Sequence, residues 1–213
     1  MKKLILVAMA MILALSAFGV RQAQPAHAGQ IIVPDVPDQI KVPKGNKVFL
    51  VGNAIGTQNY VCQPSGSGFA WILFTPQATL FGEDGGKIIS HFFSPNPFEP
   101  NTNPRVVSPI GTIRATWEYR DTSTVWAKLH QNDDGTSGSV IMDQDAIAWL
   151  LLDAVGNQDG PTGGDVLTKT TFVQRLSTTG GLAPKTGCSS LSDVGKQAFI
   201  PYTADYFFYQ KAD

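Results

Sequence analysis

From Lys47 to Tyr209 the chain runs as short apolar stretches cut by Gly, Pro, Asn and Asp. Val, Ile, Thr and aromatic residues recur in these stretches, and such side chains suit a pleated, half-buried surface. The pattern predicts strands at Lys47 to Val51, Gln58 to Cys62, Ala70 to Phe74, Ala78 to Phe81 and Lys87 to Phe93. It predicts more at Thr112 to Tyr119, Thr124 to Leu129, Ile147 to Ala154, Val166 to Ser177 and Gln197 to Tyr209. The segment Asp143 to Val155 is ambiguous. Ile147, Leu150, Leu151 and Ala154 share a helical face, yet a fully buried strand has the same look over so short a run. The Gly-rich stretch after it and the β-branched run beyond suggest a hairpin, which favours strand. The expected fold is all-β: a single-domain antiparallel sandwich or barrel-like fold of about ten strands, without internal repeats.

Two segments are too rich in proline to join the sheet interior. Pro34 to Pro43 reads as an extended lead-in. Ser94 to Gly111 holds Pro95, Pro97, Pro100, Pro104 and Pro109 and is long for a connection, so it is either functional or mobile. Composition agrees with strands and turns: 21 Gly, 14 Pro and only 15% charged residues.

The opening residues differ in kind. Lys2 and Lys3 precede an apolar run from Leu4 to Val20, and Ala26-His27-Ala28 offers the small-x-small pattern that signal peptidases read. Residues 1–28 are therefore expected to be a cleavable signal helix; the competing reading is an uncleaved anchor, since the run is near the lower length for spanning a bilayer. No cysteine follows the cleavage site to carry a lipid, and no later segment is apolar for long enough to span a membrane. Residues 29–46 then form the lead-in and 47–213 the β domain. Taking away Lys2, Lys3 and Arg21 moves the net charge from −1 to −4. With no Lys/Arg cluster, a nucleic-acid partner is not expected. The protein is expected to be exported, to periplasm or medium.

Export changes the meaning of the two cysteines. Cys62 and Cys188 are the only ones, and in an oxidising compartment such a pair is expected to be bonded. The bond would close a loop spanning most of the domain.

Known chemistries fall away one by one. Beyond the leader only His91 and His130 remain, without metal-ligand spacing, so no metal is expected. No nucleophile elbow, phosphate loop or dinucleotide fingerprint appears, so no cofactor is expected. The Asx-rich clusters near Asp134 and Asp159 lack a calcium loop's ligand alternation and read as turns. Paired carboxylates are the remaining catalytic option. The candidate catalytic residues are His91, Glu118, Asp121 and Asp205. Each also has an ordinary structural reading, a satisfied strand histidine or an acid at a strand end. Aromatic residues are the positive sign for binding, with Trp117, Trp126 and Tyr206 as stacking candidates.

Several landmarks then line up in order: Gly56 to Cys62, Pro76 to Phe81, His91, Ala115 to Glu118, Ala146 to Leu152, Phe172 to Leu176, Thr179 to Gly181, Gly187-Cys188 and Pro201 to Tyr209. In these, from about Val42 to Tyr209, the chain resembles the DUF3455 family of small secreted bacterial and fungal proteins of unknown function. The resemblance implies a compartment and a domain but no activity. Shorter members follow the histidine closely with Gly-Pro-Thr-Trp-Glu and later Asp-Gly-Ser. Here Ser94 to Gly111 intervenes and Asp121-Thr122-Ser123 lacks that glycine, so a site built from this region differs. Two functions remain: a non-catalytic extracellular or envelope module, binding carbohydrate or an envelope protein or serving a structural role, and a carboxylate-dependent hydrolase of an extracellular polysaccharide or ester.

Overall fold

A computed structural model describes residues 31–101 and 111–212. The leader reading and much of the proline-rich loop, including Pro104 and Pro109, lie outside the described residues. The strands are β1 (Asn46–Ser65), β2 (Gly68–Phe81), β3 (Lys87–Asn96), β4 (Thr112–Tyr119), β5 (Thr124–Leu129), β6 (Ser139–Val140), β7 (Trp149–Gln158), β8 (Phe172–Gly180) and β9 (Gln197–Lys211). Each pairs antiparallel with its neighbour in the order β5-β4-β3-β2-β1-β9-β8-β7-β6, and β5 also pairs with β7. That last ladder closes eight strands into an up-and-down barrel and leaves β6 as a two-residue addition on β7. Closure satisfies the edges that an open sheet would expose.

Ten sequence segments become these eight barrel strands because two pairs fuse. Lys47 to Val51 and Gln58 to Cys62 are parts of one strand, β1. The glycines between them mark close approach of neighbouring backbone rather than a turn: a Cβ on Gly56 would lie 2.2 Å from the Gln77 carbonyl oxygen. Ala70 to Phe74 and Ala78 to Phe81 likewise fuse into β2 through Pro76, which pairs with Gln58 of β1 and lies just before the ladder to β3 begins at Ala78. The ambiguous segment resolves into a turn, Asp143 to Ala146, followed by strand from Trp149.

Alternation places Ala54, Ala78, Leu80, Trp117, Ala127, Leu152, Val173, Ala204, Tyr206 and Phe208 inside, while Gln77, Thr79, Ser90, Thr116 and Glu118 face outward. A second apolar layer lies outside β7 to β9. Leu151, Leu176, Phe207 and Tyr209 are covered there by the lead-in, through Ile40, Val33 and Val36. Buried Gln174 fastens it, donating to the Ile40 carbonyl at 2.7 Å and accepting from the Tyr209 hydroxyl at 2.8 Å. Burial pushes the pKa of that phenol up to about 12.

The two ends of the barrel differ. At one end lie the turns 82–86 and 120–123 and the β7–β8 connection, and Leu80, Ile89, Val125, Leu167, Val173 and Phe208 fill the interior with no exposed surface. At the other, β1 and β2 run on past the barrel as a hairpin, since β2 pairs with β3 only from Ala78 onward. The expected disulfide is present there: Cys62 on the hairpin is bonded to Cys188, with Cα atoms 5.5 Å apart. Around it the Cys62 amide donates to Lys196, the Gly195 amide donates to Cys62, and the Trp71 indole donates to the Thr186 carbonyl at 2.9 Å. The β8–β9 connection is thus clamped to the hairpin.

Candidate functional site

The hairpin end of the barrel is not filled. Small or short inward residues (Pro76 on β2, Ala115 on β4, Ala127 on β5) leave a cavity of about 310 Å3. Leu150, Leu152, Phe93, Ile113 and Leu129 supply most of its apolar wall. An eight-stranded barrel has room for either packed side chains or one small ligand, and this one divides its length between the two.

The floor is a stack of rings. His91 lies flat on Trp117, centroids 4.3 Å apart and planes 8° off parallel, and Tyr206 meets both at a tilt. His91 Nδ1 lies 2.8 Å from the Thr116 carbonyl oxygen. A carbonyl only accepts, so Nδ1 carries the proton and Nε2 keeps a free lone pair. Desolvation pushes the pKa of this buried ring down to about 3, so it is neutral at ordinary pH. The Trp117 indole N–H beside it is buried and has no hydrogen-bond partner. Leaving such a donor unmet costs roughly 1 to 3 kcal/mol, a local expense within the ring stack.

One cation faces the cavity. Arg175 comes inward from β8, two places after inward Val173 and level with Tyr206 of β9. Its Nε and Nη2 donate to the Ala148 carbonyl at 3.1 and 2.7 Å, which fixes the guanidinium against the chain entering β7. Among the described residues it meets no carboxylate. Its positive charge acts on His91, Tyr60 and Tyr202, all of which surround this end of the barrel. No acidic residue lines the cavity; Arg114 and Lys128 border it from outward-facing strand positions that alternate with Ala115 and Ala127. Arg114 is held at 2.7 Å by Glu99, whose carboxyl the guanidinium keeps below its ordinary range.

The residues singled out from the sequence are distributed as follows. Trp117, Tyr206 and His91 come together at the cavity floor. Trp126 faces outward, its indole donating to Ser94 at 2.8 Å and its ring meeting Phe98 edge-on. Glu118, one residue on from Trp117, faces outward on β4. Asp205 is also outward, accepting from Asn53 Nδ2 at 2.7 Å. Asp121 sits in the β4–β5 turn at the filled end, where its carboxylate accepts from the Ser123 amide and hydroxyl and from the Val166 amide. Burial raises its pKa, but these hydrogen bonds outweigh that and leave it below the ordinary value. Arg175 was missed by sequence reasoning, although a signal exists: it is a charge at a core-facing position of the strand Phe172–Gly180.

Among the described residues no helix is long and apolar enough to cross a membrane. No curated protein and no solved structure matches the chain. The profile of the DUF3455 family, described as a protein of unknown function, matches residues 43–210, and the chain belongs to that family.

Proposed function

For this member of the DUF3455 family we propose a non-catalytic binding role: an exported barrel that holds one small, largely apolar molecule in the cavity at its hairpin end. The observation that carries the reading is the contrast between a filled barrel end and an open, apolar one floored by His91, Trp117 and Tyr206. A volume of about 310 Å3 lies at the small end of the range for ligand sites. Export is supported by the leader pattern of residues 1–28 and by a disulfide, which persists in oxidising compartments. The hydrolase alternative needs two acids within roughly 10 Å across a bound substrate. Glu118 and Asp205 point away from the cavity and Asp121 serves the opposite end, which favours binding over turnover.

A thermal-shift screen of the disulfide-bonded protein against small apolar acids, alcohols and oligosaccharides tests this. A ligand present at 100 times its dissociation constant should add about 2.7 kcal/mol of stability. Ala115→Trp, which fills the mouth, should abolish the response. Binding of oligosaccharides alone, untouched by Ala115→Trp, would instead point to the outer surface. Turnover of a polysaccharide or ester that vanishes in His91→Gln would replace this reading with the hydrolase.

A further inference from the structure

Resting on the cavity reading above, we propose that the ligand is an apolar monocarboxylate whose acid group is anchored by Arg175. Two observations point to an acid. Arg175 is a cation on the inner face of the barrel, immobilised by Ala148, with Nη1 unclaimed and no carboxylate partner among the described residues. A fixed, unpaired guanidinium fork beside an apolar wall suits a planar carboxylate better than any neutral group. No acidic residue lines the cavity, in a chain whose acids outnumber its Lys and Arg. Arg114 and Lys128 alternate with inward Ala115 and Ala127 and so face outward, where Glu99 pairs with Arg114; Arg175 is the cation inside the barrel.

Around Arg175 the wall is otherwise mostly aliphatic and aromatic, so the body of the ligand is apolar. At about 30 Å3 for each water-sized unit, the volume admits a small molecule on the order of ten non-hydrogen atoms. A medium-chain fatty acid and a substituted benzoic acid both meet this description, and both present the same head group.

Isothermal titration of the disulfide-bonded protein with octanoate, octanamide, 4-methylbenzoate and 4-methylbenzamide separates the possibilities. At least one acid should bind ten times or more tightly than its own amide, and the better acid identifies chain or ring. Arg175→Gln should level acid and amide, whereas Arg175→Lys should keep part of the preference. Because the Gln variant also loses the Ala148 contact, the wild-type acid-to-amide ratio is the primary readout and needs no variant. Equal binding of acid and amide to the wild type would overturn the acid assignment while leaving the cavity reading intact. Failure of all four probes, together with no response in the wider screen, would remove the cavity reading and this inference with it.

Discussion

The filled and open ends of the barrel use the same eight strands, and their interiors are opposites. At the filled end Phe208, Leu80 and Ile89 meet from β9, β2 and β3, and Leu167 plugs the gap from the β7–β8 connection. At the open end alanines and a proline occupy the matching inward places, and the polar groups His91, Gln58 and Arg175 stand among them. Stability is concentrated where the interior is close-packed, and binding capacity where it is not. The open end also needs a substitute for the core it lacks. The disulfide, the Trp71–Thr186 bond and the backbone pairing of Cys62 with Lys196 and Gly195 supply it.

The disulfide gives the largest test of that contrast. Cys62 and Cys188 are 126 positions apart, and opening so long a loop should cost about 4 to 5 kcal/mol in denaturant unfolding of the Cys62→Ser/Cys188→Ser variant. Hydrogen exchange in that variant should quicken in residues 60–73 and 181–196 before it quickens at the filled end. Uniform loosening would break the division into two ends.

Core truncation comes next. Phe208→Ala removes a side chain with no exposed surface and should cost about 3 to 5 kcal/mol. Leu150→Ala at the cavity wall should cost no more than about 2 kcal/mol, since this half-buried side chain already borders open volume. Equal losses would mean that the open end is as tightly packed as the other. Gly56→Ala should fall between them at about 1 to 3 kcal/mol, because the new methyl group meets Gln77 and Ala78 where β1 and β2 cross closely.

Acid sensitivity gives the smallest and most specific effect. The unfolded chain protonates His91 as pH falls through about 6.5, whereas the folded ring resists until about 3. Stability from the neutral ring is therefore complete above pH 6.5 and is lost as pH falls, by at most about 1.4 kcal/mol per pH unit. Urea midpoints at pH 7 and pH 5 should show a loss of about 2 kcal/mol in the wild type that His91→Gln largely removes.

Much of this architecture was legible in the residue pattern, and the errors have physical causes. β4 and β5 match their sequence segments because each is a clean alternation bounded by turn residues. β1 and β2 were split because glycine and proline act as breakers in most sequences, yet here Gly56 admits a neighbouring strand and Pro76 lies just before the ladder to β3 begins. The disulfide was legible from cysteine count and the leader pattern. Of the site, His91, Trp117 and Tyr206 are named from their residue types; the β3–β4 register sets His91 beside Trp117, and the curvature of the barrel brings Tyr206 of β9 against both. Arg175 escaped because its meaning depends on which face of β8 looks inward.

The most direct test is the behaviour of the tryptophan indole protons in a nitrogen-15 correlation spectrum during titration with octanoate. The Trp117 ring lies in the stack at the cavity floor, whereas the Trp126 indole is bonded to Ser94 on the outer face of the barrel. A saturable shift of the Trp117 resonance with Trp126 unmoved is the expected result. A shift at Trp126 alone, or no shift at either while 4-methylbenzoate is also silent, would contradict the placement of a ligand site inside the open end of the barrel.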